Sequence, residues 1–164
     1  MAVRWRRVLV WGAVVVLFFA VQGFLNRDMA SGPAPAIEGR FLDGSPASLD
    51  GLRGRSVLVY FWASWCPICG TMEDRIGSLA RDHPVITVAY QSGNASEVAR
   101  HVAERRLDWR VVPDPDGVIG ARYGIRGVPA FFVLAPDGTI RSRSVGFTPE
   151  WMLRLRLWLA LAVG

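Results

Sequence analysis

The sequence predicts an α/β domain built on a buried, mainly parallel sheet and preceded by one membrane-crossing helix. Three observations carry that expectation. Residues 8–25 form an uncharged apolar run. Two runs of β-branched and aromatic residues, 56–62 and 85–90, are separated by a segment of helix length. Both cysteines of the chain fall where the first of those runs meets the helix. The 164 residues are 51% hydrophobic and 20% charged. A disordered chain is poorer in aliphatic and aromatic residues, and a disulfide-stapled miniprotein needs more than two cysteines. The residues after position 36 suffice for one domain with its own core.

As a helix, residues 8–25 would extend about 27 Å, close to the roughly 30 Å of a bilayer core. Gln22 is their only strongly polar member. Arg4, Arg6 and Arg7 precede the run, so the positive-inside rule holds residues 1–7 in the cytoplasm. A cleaved signal peptide is the alternative. Its apolar region is shorter, about 7–15 residues, and the nearest small-x-small triplet, Ala34-Pro35-Ala36, lies well past the run and contains proline. Both readings place the domain outside the cytoplasmic membrane. Residues 26–36 read as a short, stiff linker and residues 37–164 as the domain. The net charge of +5 arises from 19 basic residues, all arginine, against 14 acids. Nowhere do they form a stripe with interleaved aromatics, which argues against a nucleic-acid surface.

Along the domain, residues 41–44 and 46–49 suggest a hairpin extension. The run 56–62 suits a strand buried on both faces. Cys69, Met72, Ile76 and Leu79 share helical spacing and predict one helix from about residue 67 to 81, with Pro67 in its first turn. Residues 85–90 complete a βαβ unit. Asn94 and Glu97 have capping-box spacing and open a helix carrying Val98, Val102 and Leu107. Residues 110–112 predict a third strand, Asp114-Pro115-Asp116-Gly117 a turn, and a short helix closes at Tyr123-Gly124. Residues 130–134 and 139–145 flank a Pro-Asp-Gly hairpin turn, and a last helix follows Thr148-Pro149 to about residue 163. That helix contains Arg154 and Arg156 and is too short to span a bilayer.

The chemistry concentrates in Trp65-Cys66-Pro67-Ile68-Cys69. A bare Cys-x-x-Cys serves either redox exchange or metal binding. A structural zinc site needs four ligands, and His83 and His101 fall in separate elements without ligand spacing. A buried strand runs into Cys66 and a helix starts there, so unpaired N–H groups and the helix dipole favour a thiolate at Cys66. Cys69 lies one turn deeper, within disulfide reach. An exposed attacking sulfur beside a shielded resolving one is what thiol–disulfide exchange requires. Pro129 heads the run 130–134, and without an N–H it belongs at a strand start or edge. The rival reading is a copper-binding or metal-delivery protein using Cys66 and Cys69 as soft ligands, with Met72 nearby in sequence.

The stretch Phe61-Trp62-Ala63-Ser64-Trp65-Cys66-Pro67-Ile68-Cys69, followed by Tyr123-Gly124-Ile125-Arg126-Gly127-Val128-Pro129, resembles the thioredoxin fold. Within it, the chain resembles the membrane-anchored TlpA/ResA-like thiol–disulfide oxidoreductases of bacterial envelopes, from about residue 37 to the C-terminus. Residues 60–69, Gln91-Ser92-Gly93 and the tail from Gly146-Phe147-Thr148 through residues 153–158 are most like the ScsD-type proteins associated with suppression of copper sensitivity. The resemblance implies a three-layer, thioredoxin-like α/β fold with a mixed central sheet flanked by helices. It implies a redox-active Cys66–Cys69 disulfide and a cis proline at Pro129 beside it. It also implies a substrate-contacting set of Trp65, Pro67, Val128 and Pro129, with the Val128 backbone pairing with an extended protein segment. No cofactor is implied. A reductase of this kind draws electrons from a DsbD-type membrane donor, and related anchored proteins reduce apocytochrome c for haem attachment. One departure stands out. The buried acid that assists proton transfer in thioredoxin matches Tyr60, and its lysine partner has no counterpart in a chain without lysine. Glu73, one turn after Cys69, is the candidate for proton transfer.

Overall fold

Strand β2 (Val57–Trp62) is buried at every position, as a strand covered on both faces must be. The computed structural model describes residues 10–14, 16–17, 23 and 27–162. Around β2 lie β1 (Gly32–Pro33), β3 (Val85–Tyr90), β4 (Val111–Asp114), β5 (Ala130–Leu134) and β6 (Thr139–Val145), in the sheet order β1-β6-β5-β2-β3-β4. Strands β2, β3 and β4 run parallel. The other neighbours pair antiparallel, so the sheet is mixed rather than mainly parallel. Tyr60 stands opposite Thr87 on one side and Phe131 on the other.

Within residues 27–162 the α-helices are α1 (Pro67–Gly70), α2 (Glu73–Asp82), α3 (Ala95–Glu104), α4 (Val118–Arg122) and α5 (Glu150–Ala162). Successive side chains of β2 point to opposite faces and so divide the core in two. Leu58, Tyr60 and Trp62 pack with Met72, Ile76 and Leu79 and with Leu153 and Leu157 of α5. Val59 and Phe61 pack with Ile119, Tyr123 and Phe132 and with Met29, Ile37 and Phe41 from the N-terminal stretch. The result is the three-layer arrangement that the resemblance implies.

The single helix expected over 67–81 is broken at Thr71–Met72. There the N–H groups of Thr71 and Met72 reach Ile68 O and Cys69 O, at 3.1 and 3.0 Å, in the tight i−3 pattern. The Thr71 hydroxyl donates to the same Ile68 carbonyl at 2.7 Å, a local bond that competes with helix propagation. The apolar face survives the break, since Met72, Ile76 and Leu79 are all fully buried.

The expected hairpin over 41–49 reduces to one bridge, Arg40 with Pro46. The stretch read as a linker is docked from Asp28 onward. Asp28 pairs with Arg126 at 3.1 Å, the Ala30 N–H donates to Tyr123 O at 2.9 Å, and Arg143 donates to Met29 O and Ala30 O. Gly32 and Pro33 then add an edge strand to β6. Neither residue favours strands, and proline is tolerated only at such an edge. Of the expected span 8–25, residues 10–14, 16–17 and 23 are helical and exposed, and the rest lies outside the described residues. Among the described residues no helix is long and apolar enough to cross a membrane.

Two consequences can be measured. Gly124 has φ +65°, and a Cβ there would run into the Asp28 carbonyl. Gly124→Ala should therefore cost about 1–3 kcal/mol in urea unfolding and speed tryptic cleavage after Arg27 as the docked stretch lifts. Separately, Glu150 ties α5 to α2 by accepting bonds from Arg154 and Ser78, at 2.9 Å each. Those bonds, Arg154 first, hold its carboxyl below the usual range. A depressed folded value means that the stabilisation is present above the unfolded value and lost as pH falls through the folded one. Thermal unfolding between pH 5 and about 2.5 should show a shallower pH slope for Glu150→Gln than for the parent.

Candidate active site

Residues 63–65 carry the chain out of β2, and the end of β3 holds them in place. Ser64 N–H donates to Ser92 Oγ at 3.0 Å, and that hydroxyl donates to Tyr90 O at 3.1 Å. The Trp65 indole donates to Gln91 O at 3.0 Å, which fixes a ring that is otherwise 59% exposed. Cys66 then caps α1 with an extended backbone, and Pro67 takes the first helical position, where its missing N–H leaves no bond unmade. Cys66 and Cys69 are joined as a disulfide with their Cα atoms 5.3 Å apart, inside the usual range for such bridges.

The two sulfurs are not equivalent. Both residues are buried, Cys66 at 7% and Cys69 at 3% exposed, so the attacking sulfur is largely covered where the sequence predicts an exposed one. Cys66 Sγ accepts the Cys69 N–H at 3.2 Å. Because α1 has only four residues, its macrodipole is small, and the contact its own backbone makes with Cys66 Sγ is this N–H. On the other side, Cys66 Sγ lies 3.6 Å from the Val128 carbonyl oxygen. The Val128–Pro129 bond is cis. Val128 packs against both halves of the core, and Pro129 O accepts the Gly146 N–H at 2.8 Å, bringing Phe147 beside the proline loop. The structure thus brings Trp65, Cys66, Pro67, Val128 and Pro129 to one end of the sheet.

Behind the disulfide is a cavity of about 330 Å³ whose lining includes Tyr60, Trp62, Cys69, Glu73, His101 and Arg105. Glu73 opens α2 after the Thr71–Met72 break. Its carboxylate accepts from Arg105 Nε at 3.0 Å and from the second guanidinium nitrogen at 2.7 Å. These bonds raise the Arg105 pKa further. Burial, and secondarily the Glu73 charge, push the Tyr60 phenol well above its ordinary value, so it stays a neutral O–H group. The sequence singled out Glu73 but held no signal for Arg105, 32 positions away, or for the cavity between them. His83 and His101 do not converge. His83 caps the end of α2 and His101 lies against the Trp62 ring at 5.5 Å. Met72 is fully buried. Among the described residues no group of three or more His, Cys, Asp or Glu is placed to hold a metal ion.

A dithiol at the strand-to-helix turn of a three-layer sheet, facing a cis proline, defines a thioredoxin-like thiol–disulfide oxidoreductase. The chain belongs to the Redoxin family, which it matches over residues 29–153. It is 29% identical over 147 residues to the Thioredoxin-like protein of Haemophilus influenzae, covering 88% of this chain and 87% of that one. It is 33% identical over 99 residues to the Thiol:disulfide interchange protein DsbE of Allochromatium vinosum, covering 59% and 55%. The crystal structure of a secreted Mycobacterium tuberculosis disulfide oxidoreductase matches with a TM-score of 0.65 at 25% identity, over 76% of this chain and 96% of that one. The protein is an enzyme of this class, with Cys66 and Cys69 as its Cys-x-x-Cys pair.

Proposed function

We propose that the protein is a membrane-tethered reductase of protein disulfides, acting outside the cytoplasmic membrane and of the TlpA/ResA-like, ScsD-type kind. The observation that carries this reading is the position of Cys66 Sγ, between the Cys69 N–H at 3.2 Å and the Val128 carbonyl at 3.6 Å. In the reduced enzyme the Cys66 thiolate attacks a substrate disulfide and expels one substrate sulfur as thiolate. Cys69 gives up its proton and attacks Cys66 Sγ in the resulting mixed disulfide. The second substrate sulfur leaves, the Cys66–Cys69 disulfide forms, and two electrons have passed to the substrate. Glu73, across the cavity from Cys69, takes the proton.

The surface suits a protein substrate. Trp65 and Ile68, beside and between the cysteines, are 59% and 48% exposed, while the Val128 backbone offers pairing to an extended segment. Regeneration needs a two-electron donor, and a DsbD-type membrane protein fits an enzyme held at the bilayer. Tethering is supported by the apolar run 8–25 and by the exposed Val10, Trp11, Val14, Val16 and Leu17. With Asp28 already docked through Arg126, only residues 26 and 27 separate that run from the domain, which holds it against the membrane surface.

Two experiments test the reading. Cys69→Ser should accumulate mixed disulfides through Cys66 in cells, and identifying the trapped partners separates general disulfide substrates from apocytochrome c. No adducts, together with tight stoichiometric copper binding by the reduced protein, would overturn it in favour of metal delivery. Replacing residues 1–27 by a cleavable export signal should move the domain from the membrane to the soluble extracytoplasmic fraction while its reduction of insulin changes by less than about twofold.

A further inference from the structure

Two polar groups behind the disulfide have no protein partner. The Tyr60 hydroxyl and the Trp62 indole N–H are buried without a hydrogen bond, on side chains 0% and 2% exposed. Leaving such groups unsatisfied costs about 1–3 kcal/mol each, and native interiors rarely tolerate it without a reason. Both residues line the cavity of about 330 Å³ that also touches Cys69 and Glu73. At roughly 30 Å³ per molecule the space admits several waters, and a water needs two to four polar partners to be held there. The aromatic frame is rigid. Tyr60 stacks on Phe131 at 5.0 Å and meets Trp109 edge-on at 6.0 Å, and Trp62 meets Trp109 edge-on at 5.7 Å. Neither ring has freedom to turn its polar atom elsewhere.

We infer that Tyr60 and Trp62 are positioning residues of a proton relay, in which their O–H and N–H groups order water between the Cys69 sulfur and the Glu73 carboxylate. The inference rests on the exchange chemistry proposed above and adds the route taken by the Cys69 proton. When Cys69 attacks Cys66 Sγ, its S–H proton passes to the ordered water while that water passes a proton to Glu73. The departing substrate thiolate takes a proton from solvent, so charge and atoms balance. Tyr60 is suited to the task because it donates a hydrogen bond without ionising. Trp62 donates only, so the two groups each hold a different water by one lone pair and leave its other lone pair free to take the Cys69 proton. The charged and titratable groups facing this space are Glu73 from α2, Arg105 and His101 from the α3 side, Tyr60 from β2, and Cys66 and Cys69 themselves. Arg105 keeps Glu73 in place.

The test uses the reduced full chain and Ellman's reagent, which releases one coloured thiolate on attack by Cys66 and a second when Cys69 resolves the adduct. Tyr60→Phe preserves the ring stack and removes the hydroxyl. The second phase should slow about tenfold at pH 7 and its pH midpoint should rise by about one unit, the equivalent change in thiol acidity. Above that midpoint the rate should recover. Trp62→Phe should act in the same direction, and Glu73→Gln should abolish the pH dependence that Glu73 imposes on this phase. Any one of these variants that folds suffices. A second phase with the parental rate and pH midpoint in the folded variants overturns the relay. An unmodified chain that gives no first phase overturns the exchange reading instead.

Discussion

The strand Val57–Trp62 has no polar face to offer water, and the rest of the molecule answers that constraint. Each fully buried side chain of this size contributes about 1.5–3 kcal/mol only if it is covered, so α2 and α5 must close one face and α4 with the N-terminal stretch the other. Once both faces are closed, the strand can expose its chain only at an end. Its C-terminal end is where Cys66 emerges, and β5 returns antiparallel to bring Pro129 alongside, with Phe61 paired to Ala130. The redox pair is therefore placed by hydrophobic coverage, and the hydrogen bonds of Ser64, Trp65 and Ser92 only trim its loop.

The same strand carries an apparent contradiction. Tyr60 and Trp62 are buried within it like every other residue of the strand, yet their polar atoms lack partners in the protein. A strand optimised for coverage alone would carry Phe at position 60, since Phe131 and Trp109 make the same ring contacts with either residue. Keeping the hydroxyl is costly unless water meets it. The cavity beside Glu73 supplies that water's room, so the polar atoms and the void explain each other better than either is explained alone.

What the sequence makes legible follows the range of the forces involved. The βαβ unit, the capping box of α3, in which Asn94 and Glu97 bond reciprocally, and the Cys-x-x-Cys turn are set by neighbours a few positions apart. The thioredoxin resemblance adds the cis proline, which spacing alone does not reveal. The break at Thr71–Met72 escapes because the apolar period runs through it unchanged and only a hydroxyl-to-carbonyl bond interrupts the helix. Strand β1 escapes because Gly32 and Pro33 argue against a strand by composition, and only the open edge of β6 makes one. The Glu73–Arg105 clasp and the orphan atoms of Tyr60 and Trp62 are tertiary facts. A position 32 residues away, or an empty volume, leaves no periodic trace.

The shortness of α1 bears on the direction of electron flow. From sequence, one helix of about fifteen residues would start at Cys66, and its dipole would stabilise the thiolate strongly. A more stable thiolate makes a disulfide more oxidising. In the folded chain the helix stops after four residues and restarts with Glu73, an acid, as its first residue. The dipole of α2 begins a turn farther off, and Glu73, clasped by Arg105, complements it there. Cys66 is left with one N–H donor and little field from either helix. A sulfur met by one local bond, in place of the head of a long helix, is the feature of the fold that bears on the reductase direction proposed above.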